Sequence, residues 1–164
     1  MGEPFARRPQ VPHYYKFSQD PEGLLPWSYA VERLVAARNY WIATCRPSGA
    51  PHTTPLWGVW VDDVLYLDGS PETRWGQNIA ANPQVSVNLE SADDVVIVEG
   101  DAEFCVTDDK LAQRIVDAWT AKYGRLVPEP ADEDGGVVTV RPRRVRAWHD
   151  ALLDGTVWIL GDSA

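Results

Sequence analysis

The chain has 164 residues, of which 45% are hydrophobic and 24% charged, a composition typical of one folded domain rather than of a disordered chain. Its formal net charge of −9 would repel phosphate backbones, and no apolar run approaches the ~20 residues that cross a bilayer, so neither nucleic acid nor a membrane is expected as a partner. The N-terminal stretch MGEPFARRPQ lacks the apolar core of a signal peptide, which predicts a cytoplasmic location.

Residues 1–26 are predicted to form an extended arm, followed by a single domain over residues 27–164. The prediction rests on the prolines of this segment, each of which disfavours a helix: Pro4, Pro9, Pro12, Pro21 and Pro26. The aromatic cluster His13–Phe17 suggests that the arm packs on another surface, for which a partner subunit is one candidate. Beyond the arm, Ser28 is the expected N-cap of a helix that runs to about Ala37.

The hydrophobic period changes from that of a helix to that of strands after Asn39. Three runs separated by short turn signals predict an antiparallel meander: Tyr40–Arg46, His52–Val61 and Val64–Asp68. Pro55 removes one backbone donor from the second run, so this strand should bulge or lie at the edge of the sheet.

The rest of the chain adds helices and further strands. A short helix is predicted at about residues 72–81, and a second helix is expected to be capped by Thr107 and to end at Gly124. The remaining strand-like runs are Gln84–Glu90, Asp94–Val106 with Gly100 at a bulge, Gly136–Trp148, and a short closing segment Thr156–Leu160. Six hairpin-connected strands with peripheral helices predict an α+β domain built on a small antiparallel barrel.

Few residue patterns point to chemistry by themselves. The chain has no nucleotide-binding glycine motif, and its three histidines are far apart in sequence, so no metal site is predicted. Cys45 and Cys105 are expected to be free, buried thiols. The eight tryptophans fit either a core or dimer interface rich in aromatic residues, or an aromatic wall for a flat heterocycle.

Four segments between residues 39 and 104 carry a family likeness, in a fixed order: ATCRPSGAPH (43–52), PLWGVW (55–60), SPETRWGQNIAANP (70–83) and VEGDAE (98–103). Together they resemble the flavin-binding split-barrel superfamily, which includes the pyridoxamine-phosphate oxidases and the flavin- and deazaflavin-dependent reductases. The resemblance implies a six-stranded antiparallel split β-barrel of Greek-key topology. It also implies a homodimer with one cofactor in each of two clefts at the subunit interface.

The resemblance further implies which residues bind the cofactor. The flat ring would contact the second strand, at residues Thr53, Thr54, Pro55, Leu56, Trp57 and Gly58. The ribityl chain would lie near the end of the next strand, at Asp68 and Gly69. A phosphate would bind where a helix N-terminus, the Thr73 hydroxyl and the Arg74 guanidinium coincide, a combination that suits a dianion. Trp75 would pack on the ring or on the partner subunit.

The chain departs from the family pattern at two positions where a cation is usual, Trp75 and Val157. Arg46 or Arg38 could supply the missing charge. The cofactor, FMN or the deazaflavin coenzyme, is left open. The expected function is hydride transfer to or from an unknown small molecule, with the chemistry supplied by the cofactor and no catalytic side chain named. A binding protein that holds a flavin or another heterocycle without turnover is the alternative, and an empty structural dimer is a third reading.

Overall fold

The computed structural model describes residues 3–105, 108–124, 137–151 and 153–160. Within these ranges lie three α-helices, a 3-10 turn at His13–Tyr15 and nine strands. The helices are α1 (Trp27–Ala36), α2 (Arg74–Ala81) and α3 (Asp109–Tyr123). The strands are β1 (Phe5–Arg7), β2 (Tyr40–Cys45), β3 (Pro51–Leu56), β4 (Gly58–Val61), β5 (Val64–Asp68), β6 (Gln84–Asn88), β7 (Val95–Cys105), β8 (Val137–Trp148) and β9 (Thr156–Ile159).

Every pair of neighbouring strands is antiparallel, in the order β1-β9-β8-β7-β6-β2-β3. The long strand β8 has two neighbours on its other side, because residues 137–140 pair with β5 and residues 144–147 pair with β9. Strand β4 pairs with β5. The α+β class and the antiparallel sheet are therefore confirmed.

The predicted number of six strands is corrected to nine in the described part of the chain. The run His52–Val61 is divided at Trp57, because β3 pairs with β2 whereas β4 pairs with β5. The other additions come from the two ends, where β1 pairs with β9 in the register Phe5 to Ile159. The first part of the predicted arm is thus a strand of the sheet, while Tyr14 and Tyr15 are exposed.

Two other strand predictions are confirmed. Strand β3, which contains Pro55, lies at the end of the sheet, where a proline is tolerated because only one side of the strand is paired. The register of β7 shifts between Glu99 and Gly100, as expected for a bulge. A Cβ at Gly100 would lie 2.2 Å from the Arg141 carbonyl oxygen, so the close approach of the two strands requires glycine here.

The helix ends differ in part from the prediction. Helix α1 begins one residue before Ser28, with Pro26 as the N-cap residue, so the predicted Ser28 cap is wrong. Helix α3 is capped by Asp108, whose side chain accepts from Leu111 N at 2.9 Å. Gly124 ends α3 in the left-handed conformation, as predicted. The predicted cap Thr107 and the predicted strand ends Val106 and Gly136 lie outside the described residues.

The core contains most of the tryptophans, which fits the first of the two interpretations. Trp27, Trp60, Trp75, Trp119 and Trp158 are buried. Cys45 and Cys105 are free thiols as predicted, but both are half-buried rather than buried. No helix within the described ranges is long and apolar enough to cross a membrane.

Candidate functional site

The bend between β3 and β4 lies beside the end of β5 and the start of α2. The Asp68 amide donates to the Trp57 carbonyl at 3.1 Å, which joins the bend to β5. A Cβ at Gly69 would lie 2.0 Å from Cζ2 of Trp75, so only glycine allows α2 to approach the strand this closely. The fold therefore brings together three of the predicted segments, which are Trp57–Gly58, Asp68–Gly69 and Thr73–Trp75.

The start of α2 has the geometry of a capped helix with a free cation. Thr73 Oγ1 accepts from the Gly76 amide at 3.1 Å and donates to the Ser70 carbonyl at 2.7 Å. The hydroxyl proton is thus used within the protein, which corrects the expectation that Thr73 donates to a phosphate. Arg74, the first residue of α2, is exposed and forms no ion pair with any other described residue.

Trp75 belongs to the core rather than to a binding surface. Its side chain is 5% exposed and stacks on Phe104 with the ring centroids 6.0 Å apart. The expected contact of Trp75 with a cofactor ring or a partner subunit stays a prediction, and its ring already packs in the core of its own chain. Because position 75 is buried, a lysine there would place an ammonium in the core instead of beside Arg74.

Strand β3 is incompletely covered on both faces. Thr53 and Pro55 are exposed, Thr54 and Leu56 are half-buried, and none of the six residues of the strand is buried. A strand with one face on a core normally buries every second side chain, as β2 does. The predicted ring-contact residues Thr53–Leu56 therefore lie on a surface that the described part of the chain leaves open.

Helix α2 is joined to this strand by a buried polar contact that the sequence interpretation did not identify. Asn78, which is fully buried, donates its side-chain amide to Thr44 Oγ1 at 3.0 Å. Thr44 in turn donates to the His52 carbonyl on β3 at 3.3 Å. The sequence did contain an indication of this contact, because Asn78 is a polar residue on the face of α2 that also carries the buried Trp75 and Ile79.

Gly58 is surrounded by groups from α3 rather than by open space. Its amide donates to the Tyr123 hydroxyl at 2.9 Å, and its carbonyl accepts from Lys122 Nζ at 3.1 Å. Trp57 stacks on Tyr123 with the ring centroids 4.9 Å apart. The expected contact of Gly58 with a cofactor ring stays a prediction, and both backbone polar groups of Gly58 are already bonded inside the protein.

Within the described part of the chain, Lys122 donates to three neutral oxygens. Its Nζ donates to the Ala37 carbonyl at 2.9 Å, to the Tyr40 hydroxyl at 2.8 Å and to Gly58 as described. Desolvation by burial lowers the pKa of this lysine to about 8, and none of the described carboxylates pairs with it. The sequence placed Lys122 on the apolar face of α3, which was the available signal for a buried amine.

The remaining predicted residues have clear positions. Asp68 is exposed at the end of β5, where desolvation by its neighbours raises the pKa of the carboxyl. Arg46 is exposed in the turn between β2 and β3, and the Arg38 guanidinium lies 5.6 Å from the centroid of the Tyr123 ring. Val157, where the family has a cation, is 3% exposed.

With this geometry in view, the chain can be compared with known proteins. The family model described as pyridoxamine 5'-phosphate oxidase matches residues 30–149, which is more than half of the chain. The chain therefore belongs to the pyridoxamine 5'-phosphate oxidase family. This finding confirms the resemblance to the split-barrel superfamily. No curated protein sequence matches the chain significantly.

Three solved structures illustrate the range of similar proteins. A conserved hypothetical protein of Mycobacterium tuberculosis is 26% identical, with a TM-score of 0.64, and the match covers 82% of this chain and 92% of that one. An F420 reductase is also 26% identical, with a TM-score of 0.54 and coverage of 77% and 98%. A heme binding protein from Mycobacterium smegmatis is 22% identical, with a TM-score of 0.58 and coverage of 77% and 55%, which shows the fold alone.

Proposed function

We propose that this protein is a flavin- or deazaflavin-dependent oxidoreductase that binds its cofactor between the open surface of β3 and the start of α2. One observation carries the proposal. The unpaired guanidinium of Arg74 stands at the N-terminus of a helix that packs against β3, whose side chains the rest of the described chain leaves uncovered. A helix N-terminus with an arginine suits a phosphate, and an uncovered strand suits a flat ring.

The residues available for the cofactor are fewer than the sequence alone implied. Thr53, Thr54, Pro55 and Leu56 offer side chains and backbone to a ring, and Arg74 with the first free amides of α2 offers donors to an anionic tail. Asp68 and Gly69 lie at the end of β5, on the side of the Trp57 bend where a ribityl chain would run. Trp57 contributes through its carbonyl and its stacking on Tyr123, which hold the bend.

The bound flavin or deazaflavin supplies the hydride chemistry. The chain's own residues position it: Arg74 fixes the anionic end, the Asn78–Thr44 contact fixes α2 against the β2–β3 hairpin, and the apolar side chain of Leu56 helps to exclude water. No described side chain is needed as an acid or base, and the substrate is a small molecule that accepts or donates a hydride.

The same surface supports a homodimer with two interfacial cofactor sites. Trp41, which faces Pro55 in the register, is 37% exposed, and β3 has neither face fully covered. Apolar and aromatic surface of this kind is typical of an interface between subunits. A second copy would cover β3 and complete the cleft that a single chain leaves open.

The six-stranded barrel belongs to this proposal as well. The pairing path β3-β2-β6-β7-β8-β5-β4 begins and ends on two strands that only Trp57 separates in the chain. If β3 and β4 are counted as one bent strand, the path closes on itself with six strands. The split of the barrel would then lie at Trp57, beside the proposed cofactor.

The absorbance spectrum of the purified protein tests the proposal. Addition of FMN, of the deazaflavin coenzyme or of hemin should give tight, stoichiometric binding of one of the first two, with bleaching when a nicotinamide or chemical reductant is added. Light scattering should give about twice 18.3 kDa. Binding of hemin alone, or a monomer that binds none of the three, would refute the proposal.

The second candidate is a protein that binds a flavin or another heterocycle without turnover. It is favoured by the absence of any described acid or base at the open surface of β3 other than Asp68 and His52, which leaves the binding residues without a proton relay. Cofactor binding with no reoxidation of the reduced form by any electron acceptor would support this candidate over the oxidoreductase.

A further inference from the structure

A cavity lies between the N-terminal arm and β8, away from the open surface of β3. Its volume is about 350 Å³, within the range of small-molecule sites. Arg7 and Phe17 line it from the arm, and Arg144, Arg146 and Trp148 line it from β8. These β8 residues alternate with the buried Val145 and Ala147, so the cavity lies on the face of the sheet opposite to the core.

The lining of this cavity is positively charged in a chain that is strongly acidic overall. It includes three arginines and, among the described residues, no aspartate or glutamate. Glu99, on the neighbouring strand β7, accepts from Arg144 Nη1 at 3.1 Å and lies 3.0 Å from Arg146 Nη2. One carboxylate therefore balances three guanidinium groups, which leaves a local excess of positive charge.

Two of these arginines have unused hydrogen-bonding capacity. Arg7 donates only to the Arg8 carbonyl, at 3.3 Å, and has no ion pair among the described residues. Arg144 Nε is buried and has no hydrogen-bond partner there. Of the two, the half-buried Arg7 guanidinium is the one that can donate to an anion in the cavity.

The other walls of the cavity are mostly apolar. Phe17 and Trp148 are half-buried, and the rest of the lining is Pro9, Val11, Ala151 and Val157 with the polar Gln10 and Thr156. Such a combination of few charged donors with a larger apolar wall is typical of a site for an organic ligand rather than for an inorganic ion.

We propose that this cavity binds a small organic anion, whose carboxylate or phosphate group is held by Arg7, Arg144 and Arg146 and whose flat apolar body lies against Phe17 and Trp148. The site is distinct from the proposed cofactor site, because its β8 residues lie beyond residues 137–140, which pair with β5, and none of its lining residues belongs to β3, β5 or α2. It does not depend on the proposed function.

Isothermal titration of the full chain tests this proposal with four probes: 1-naphthoate, 1-naphthyl phosphate, the neutral 1-naphthalenemethanol and inorganic phosphate. At least one naphthyl anion should bind, and the stronger of the two identifies the anionic group. The neutral probe and inorganic phosphate should each bind at least tenfold more weakly, since each lacks one half of the ligand. Equal binding of either one, or no binding of any probe at millimolar concentration, would overturn the proposal.

Three charge-neutralising variants locate the site. R7Q and R146Q should each weaken the naphthyl anion about tenfold, as expected for a lost hydrogen bond between charged groups. R143Q is the matched control, because Arg143 lies on the same strand, pairs with Asp101 at 3.2 Å and does not line the cavity. Equal weakening in R143Q and R146Q would mean a general charge effect and would overturn the site.

The proposal can still be tested if the R146Q variant fails to fold. Arg7 makes no contact with Glu99, so R7Q keeps both ion pairs of β8 even if R146Q is unstable. The W148F variant gives an independent reading: it should weaken both naphthyl anions and leave the unfolding midpoint nearly unchanged, because an aromatic ring still fills the position. Unchanged affinity in both R7Q and W148F would exclude the cavity as the binding site.

Discussion

The side-chain amide of Asn78 on α2 lies 3.0 Å from Thr44 Oγ1 on β2, and neither side chain is accessible to solvent beyond 4%. Through Thr44 and the His52 carbonyl, this contact sets the position of α2 relative to β3. The arginine at the start of the helix and the open strand are therefore positioned by a contact that involves the strand only through one backbone carbonyl and does not involve Arg74. The side-chain oxygen of Asn78 is buried without a partner, so the contact is only half satisfied.

We expect Asn78→Ala to lower the free energy of unfolding by about 1–3 kcal/mol, because it removes a buried hydrogen bond and leaves a cavity. Asn78→Leu should cost less, since it keeps the volume, removes the unpaired oxygen and leaves the Thr44 hydroxyl bonded to His52. Unfolding in denaturant measures both. Gln77→Ala, on the exposed side of the same helix, is the control, and equal losses for Asn78→Ala and Gln77→Ala would contradict the prediction.

Arg74→Ala should weaken the binding of a phosphate-bearing flavin or deazaflavin by about ten- to a hundredfold, because it removes a charged and planar donor. The unfolding midpoint should not change, since Arg74 is exposed and unpaired among the described residues. Fluorescence titration measures the affinity. Arg141→Ala is the control for net charge, because Arg141 is exposed and pairs with Glu103 on the far side of the sheet from α2. Similar affinities for the two variants would place the phosphate elsewhere.

Trp75→Lys should destabilise the fold rather than tighten cofactor binding, although a cation at this position is usual in the family. The side chain is 5% exposed, so the variant loses the stacking on Phe104 and buries an ammonium. We expect a loss of at least about 3 kcal/mol in the free energy of unfolding. Gln77→Lys introduces the same side chain on the exposed face and should be tolerated. A stable Trp75→Lys protein with higher cofactor affinity would show that the helix can rotate to expose this position.

Lys122 should make the stability of the protein rise with pH above about 8. The pKa of Lys122 is lowered to about 8 in the folded chain, against an ordinary value of 10.5. Between these two values the unfolded chain binds more protons than the folded chain, so the free energy of unfolding increases as the pH rises through this window. Below about pH 8 the cost of the buried charge is present in full.

The contribution of Lys122 is measured as a difference between variants. Between pH 7 and about pH 9.5, the denaturant midpoint of the parent should rise relative to that of Lys122→Met, because the methionine cannot titrate. Lys110→Met, on the exposed part of the same helix, should follow the parent. If the parent and Lys122→Met show the same pH dependence, then the Lys122 amine remains well solvated and its burial has no effect on titration.

Local sequence patterns were sufficient to predict the strands and helix ends that depend on residues close together in the chain. The alternation of apolar residues placed β6, the change of period after Asn39 placed β2, and Gly124 marked the end of α3. Ser28 was misassigned as a cap because Pro26, two residues earlier, satisfies the backbone requirement of an N-cap without a side-chain hydrogen bond. The division of the second strand at Trp57 was missed because it depends on which strand each half pairs with.

Part of the candidate site was also visible in the sequence, through the resemblance rather than through spacing. It identified the segments around Thr53, Gly69 and Arg74, and the fold brings the bend, the end of β5 and the start of α2 together. Burial could not be deduced from the same letters. Trp75 and Arg74 are consecutive in the chain, yet one is in the core and the other is at the surface, because successive helix positions point about 100° apart.

The sequence by itself determined the fold class and the position of the helix that carries Arg74, because these follow from hydrophobic period, capping residues and turn residues close together in the chain. It indicated the family through the resemblance of four segments, which the family match over residues 30–149 confirms. Only the tertiary structure decided what the polar groups do. Gly58 is bonded by α3, Thr73 is bonded by its own turn, and Arg7 meets Arg144 and Arg146 across a cavity. In each case, the packing of strands and helices decides which hydrogen-bonding partner a polar group meets. The free energy of burying that polar group depends on whether such a partner is present.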